Sequence, residues 1–64
     1  MKRFKVKEIL KMLNDDGWYM VKQRGSHRQF KHPVKSGKVT VNQQPNEVLS
    51  QEILNSIFKQ AGWK

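Results

Sequence analysis

Gly25-Ser26, within the run "WYMVKQRGSHRQFKHP", is the feature that most narrows what this chain can fold into. The residues before it are aromatic, β-branched or long and suit an extended strand, and the residues after it resume the same pattern. Glycine accepts the positive φ that the first position of a two-residue type II′ turn demands, and such a turn has the twist that joins two antiparallel strands. The sequence therefore predicts a hairpin, with Trp18 to Arg24 as one strand and His27 to His32 as the other. Pro33 ends the second strand because it has no N–H to give to a ladder. "PVKSGK" then turns the chain into a short third strand, Lys38 to Val41, and "NQQPNEVL" reads as a loop.

Two helical stripes flank this segment. Between Lys5 and Asp16, Val6, Ile9, Leu10 and Leu13 recur at helical spacing, and Gly17 stands where a helix stop is expected. Ser50 suits the N-cap of a last helix, with Gln51 and Glu52 in its first turn. Its apolar stripe is Leu49, Ile53, Leu54, Ile57, Phe58 and Ala61, and Gly62 ends it. The expected fold class is α+β, in the order α-β-β-β-α. Two helices on one face of a three-stranded antiparallel sheet cover both stripes and leave the other face to solvent. One domain, residues 1–64, is expected, because a chain of 64 residues has material for only one thin core. With no cysteine it forms no disulfide, and no apolar segment has the length of a signal-peptide core or a membrane span. A cytoplasmic location, without membrane contact, is the expectation.

Charge points to the partner. Thirteen Lys and Arg oppose five Asp and Glu, a formal charge of +8 that favours polyanions. The cations are not evenly spread. Gly17 to Asn46 has no acidic residue yet carries Lys22, Arg24, Arg28, Lys31, Lys35 and Lys38. The basic N-terminus, "MKRFKVKEIL", adds to the field.

If Gly25-Ser26 is the whole loop, Arg24 pairs with His27, Lys22 with Gln29, and Val21 with Phe30. The apolar pair Val21 and Phe30 should face the helices. Alternation then gathers Arg24, His27, Lys22, Gln29 and Lys31 on the open face. Unbroken alternation also puts Trp18 and Met20 there, as a stacking platform or the edge of an interface; a twist at the start of the strand would instead leave Trp18 in the core. His27 and His32 are five residues apart, so they point to opposite faces roughly 16 Å from each other and do not form an acid-base pair. A structural role suits His32.

Cleaving RNA by attack of a 2′-hydroxyl on the adjacent phosphate requires a group to remove a proton, a group to protonate the leaving oxygen, and positive charge near the phosphate. Imidazole can fill either proton role near neutral pH. His27 is the candidate catalytic acid or base; Lys22, Arg24, Arg28 and Lys31 are candidate phosphate contacts. Gly25 shapes the turn. Ser26 either positions a phosphate or is a plain turn residue. Other chemistries fit poorly: no carboxylate lies near Ser26 and His27 in sequence to complete a serine hydrolase, two histidines without Cys or acidic neighbours make no recognisable metal site, and there is no phosphate-binding glycine loop. No cofactor is implied. A non-catalytic RNA-binding module accounts for the same charge pattern.

The chain resembles the HicA family of toxin mRNA interferases. The resemblance rests on a short helix ending in Gly17-Trp18, a basic strand into "RGSH" (Arg24 to His27), "FKHP" (Phe30 to Pro33), the strand "KVTV" (Lys38 to Val41) and a terminal helix ending "ILNSIFKQAGW" (Ile53 to Trp63). It spans essentially the whole chain. It implies a double-stranded-RNA-binding-like fold and a metal-independent endoribonuclease that cleaves mRNA and inhibits translation and growth. In such a protein the histidine of Gly-Ser-His, here His27, is catalytic. A HicB-like antitoxin is the implied partner, with DNA contacted only indirectly through that antitoxin. One departure stands out. Many relatives follow the third strand with Pro-His, whereas here Asn42-Gln43 follows it and Pro45 is displaced, so no second histidine carries over.

Overall fold

The computed structural model describes residues 3–63. The elements are α1 (Val6–Asp15), β1 (Tyr19–Arg24), β2 (His27–Lys31), β3 (Val39–Val41) and α2 (Gln51–Gln60). The strands form one antiparallel sheet in the order β1-β2-β3. This is the expected α-β-β-β-α plan. Met1, Lys2 and Lys64, which the expected domain and its basic N-terminus include, lie outside the described residues.

α1 starts where its first amide groups find partners. The Lys5 N–H donates to Glu8 Oε1 at 2.9 Å. The N–H groups of Val6 and Lys7, which have no acceptor inside the helix, donate to the carbonyls of Glu47 and Pro45 at 2.9 and 3.1 Å. The segment read as a loop between β3 and α2 is therefore tied to α1, and Leu49 N–H completes the tie by donating to Phe4 O at 2.9 Å. At the other end Gly17 has φ +100°, and the chain reverses so that Trp18 N–H donates to Leu13 O at 2.9 Å. A Cβ at position 17 would lie 2.9 Å from His32 Nε2, so both conformation and space call for glycine. α2 is capped as expected, with Ser50 Oγ accepting from Ile53 N–H at 3.3 Å.

Val6, Ile9 and Leu13 of α1 meet Leu54 and Ile57 of α2 over Phe30, Val39 and Val41 of the sheet, with Trp18, Leu49 and Ala61 completing one buried cluster. Both helices thus cover the same sheet face. Phe58 closes the rim, edge-on to Phe4 at 6.0 Å and to Trp63 at 5.3 Å between ring centres.

One expected pairing is not formed. Val21 does not oppose Phe30; Met20 does, Lys22 opposes Gln29, and Val21 is the extra residue of a β-bulge. The extra residue inverts the alternation of everything before it. Trp18 consequently turns into the core, where it is 2% exposed. Tyr19 takes the place opposite Lys31 that unbroken alternation gives to Met20. The energetics favour this exchange. A Trp buries roughly 150–250 Å², which at about 25 cal/mol per Å² contributes about 4–6 kcal/mol. A ladder hydrogen bond lost at the bulge costs about 0.5–1.5 kcal/mol.

Candidate nucleic-acid interface

The hairpin tip has the register read from the sequence. Arg24 pairs with His27 and Lys22 with Gln29. Gly25 has φ +59° while Ser26 keeps an ordinary negative φ, as a turn of the II′ kind requires. In β2 the exposed or half-exposed His27, Gln29 and Lys31 alternate with the buried Arg28 and Phe30. The first three therefore lie on the face away from the helices. Lys22, Arg24, His27 and Gln29 line a cleft of about 240 Å³ on that face, and Lys31 continues the row with Tyr19 across from it. An exposed imidazole shares this cleft with two exposed cations, with no carboxylate in the lining. Such a site attracts a phosphate and can move a proton at it.

Arg28 is set apart from the other candidates. It is 7% exposed, on the helix side of the sheet, and its Nη1 donates to the carbonyls of Ser26 at 3.2 Å and Gln43 at 2.8 Å. The guanidinium thus braces the hairpin turn from beneath and ties it to the segment after β3. That segment makes a second tie. Gln44 Nε2 donates to Ser26 Oγ at 3.0 Å, which occupies the hydroxyl as an acceptor and leaves its hydrogen free to be donated. Ser26 is thereby held beside His27 by Gln44, a residue the sequence reading left in a plain loop. Gln43 has its side-chain Oε1 buried without a hydrogen-bond partner. The Gln43 carbonyl, just after β3, is thus part of the support beneath the turn.

His32 is engaged elsewhere. Its Nδ1 accepts from the N–H groups of Val34 and Lys35, both at 3.0 Å, so Nε2 carries the hydrogen and donates to Asp16 O at 2.7 Å. Its ring meets Trp18 edge-on at 5.2 Å. This is a structural histidine that pins the loop after β2 to the end of α1.

Asp16 is the matching anchor on that side. Its Oδ2 accepts from Lys35 Nζ at 2.7 Å, Trp18 Nε1 at 3.0 Å and Trp63 Nε1 at 3.1 Å, so one oxygen joins the end of α1, the start of β1, the loop before β3 and the chain beyond α2. The hydrogen bond from Lys35, then that from Trp63, then that from Trp18 outweigh partial burial and lower the carboxyl pKa from 3.8 to about 2. The sign of the linkage follows. The group binds its proton more weakly folded than unfolded, so its stabilisation is complete above pH 3.8 and is lost as pH falls toward 2. Thermal unfolding followed between pH 5 and 2 is expected to show the wild-type midpoint falling faster than that of Asp16→Asn over this window. Parallel curves would exclude the carboxylate as the source.

Among the described residues no three His, Cys, Asp or Glu side chains gather at metal-binding distance, and no helix is long and apolar enough to cross a membrane. A family model described as the HicA toxin of bacterial toxin-antitoxin systems matches residues 6–63, which include every helix and strand described above. A search of curated proteins gives no match.

Proposed function

This chain belongs to the HicA toxin family, a toxin of a toxin-antitoxin system, and from that premise we propose that it is a metal-independent endoribonuclease that cleaves mRNA at His27. The observation that carries the reading is the cleft in which His27, directly opposite Arg24, shares a lining with Lys22 and Gln29. In the proposed reaction the 2′-oxygen of one nucleotide attacks its own 3′-phosphorus and the bond to the next nucleotide's 5′-oxygen breaks. One proton leaves the 2′-hydroxyl and one reaches the 5′-oxygen. His27 transfers one of them and water the other. Lys22, Arg24 and Lys31 hold the phosphates, and the Ser26 hydroxyl, oriented by Gln44, donates to a phosphate oxygen. Arg28 serves the site by supporting the turn and does not touch RNA. The products are a 2′,3′-cyclic phosphate and a 5′-hydroxyl.

Within this reading the chain acts in the cytoplasm, a HicB-like antitoxin blocks the cationic face, and DNA is reached only through that antitoxin. One observation favours a second reading, a non-catalytic RNA-binding module: His27 is the one imidazole at the cleft, and neither a second histidine nor a carboxylate lines it. The test is the purified chain with RNA in excess chelator. Cleavage that persists, yields cyclic-phosphate ends and spares a 2′-deoxy substrate supports the ribonuclease. Binding without cleavage supports the module, and cleavage abolished by chelator removes the metal-free mechanism.

A further inference from the structure

The bulge at Val21 puts an aromatic residue where the sequence alternation did not. Tyr19 pairs with the exposed Lys31, so it belongs to the same open face as His27 and Gln29, while its neighbour Trp18 is buried on the other side. Tyr19 is 51% exposed. The aromatic contacts among the described residues join Phe4, Phe58, Trp63, Trp18 and His32, and Tyr19 takes part in none of them. A phenol with no aromatic partner thus ends a row of otherwise polar and cationic side chains. Along β2 the row from His27 to Lys31 covers four residues, about 13 Å. That is the reach of about two to four nucleotides, depending on how far the strand is stacked.

We propose that Tyr19 is a nucleobase-stacking subsite that receives an unpaired base a few nucleotides from the phosphate at His27. The inference rests on the ribonuclease reading above and deepens it. Phosphate contacts from Lys22, Arg24 and Lys31 hold any RNA, whereas an aromatic face adds stacking only to a base that is not already paired and stacked in a duplex. The site therefore selects a single-stranded stretch, although the fold resembles one that binds duplexes.

The experiment measures binding of a uniformly 2′-O-methylated oligonucleotide, which lacks the attacking hydroxyl, to the wild-type chain, Tyr19→Phe and Tyr19→Ala. Folding of each is checked by circular dichroism. Tyr19→Ala is expected to bind the single strand about five- to hundredfold more weakly and Tyr19→Phe nearly as tightly as wild type. The salt dependence of binding should be unchanged in Tyr19→Ala, whereas Lys22→Ala lowers its slope by about one phosphate contact. An abasic residue moved along the oligonucleotide should reach one position at which wild type and Tyr19→Ala bind alike. Equal binding by wild type and Tyr19→Ala overturns the subsite, as does equal preference for duplex and single strand. Weakened association with the antitoxin and unchanged RNA binding also overturns it, by reassigning the ring to a protein contact. Binding is scored apart from cleavage, so the two readings fail separately. Tyr19-dependent binding without cleavage of ordinary RNA refutes the ribonuclease and keeps the subsite, whereas cleavage with Tyr19-independent binding does the reverse.

Discussion

His27→Ala is expected to remove growth arrest and to lower the rate of RNA cleavage about 10²–10⁴-fold, the range that a positioned general acid or base contributes. The loss should lie in kcat. Lys22, Arg24 and Lys31, which carry the phosphate affinity in this reading, remain in place, so RNA binding and its salt dependence should change little. His27 is exposed on the open face, so its truncation opens no cavity in the core, and the thermal midpoint should stay near that of wild type. Induction of each chain in cells, followed by single-turnover cleavage with the purified proteins, checks all of this. A His27→Ala chain that cuts at the wild-type rate would sink the catalytic assignment and leave the cationic cleft as a binding surface.

The largest loss of stability is expected from Trp18→Ala, about 3–5 kcal/mol. A domain this size has roughly 3–10 kcal/mol in total at about 0.05–0.15 kcal/mol per residue, so the variant should be partly or wholly unfolded at room temperature. Trp18 fills the core beside the helices, donates to Asp16 Oδ2 and packs on the His32 ring, so its removal loosens three contacts at once. Trp18→Phe helps to separate these effects, because it keeps much of the apolar volume while losing the indole N–H; about 1 kcal/mol is expected for that bond, with further loss from the smaller ring. Urea unfolding of the three chains measures the differences. If Trp18→Ala unfolds within about 1 kcal/mol of wild type, burial of this indole is not what sustains the bulge.

The architecture was legible because its signals are local and redundant. The apolar stripes of α1 and α2, Ser50 at a cap and Gly25 at the hairpin turn each act over a few residues, and they agree with one another. The register next to the turn was legible for the same reason, so Arg24 opposite His27 and Lys22 opposite Gln29 needed only counting. The bulge at Val21 is not legible in the sequence, because a bulge has no fixed residue signature; it arises from competition between ladder pairing and burial of Trp18, and that competition appears only when the core is assembled. Arg28 is a candidate phosphate contact by charge alone, and the same alternation that puts His27 on the open face puts this neighbour beneath it. Gln43 and Gln44 gave no signal, since their bonds to Arg28 and Ser26 cross 15 and 18 residues of sequence.

The bulge has a colloidal consequence as well as a chemical one. β1 is an outer strand whose residues are all exposed, and a straight strand in that position offers its free amide and carbonyl groups to the strand of any other chain. The extra residue at Val21 breaks the spacing of those groups in mid-strand, and Lys22 and Arg24 set like charges against a second copy. The cationic edge is in this way a poor template for its own aggregation, and the chain can carry a bare sheet edge without covering it.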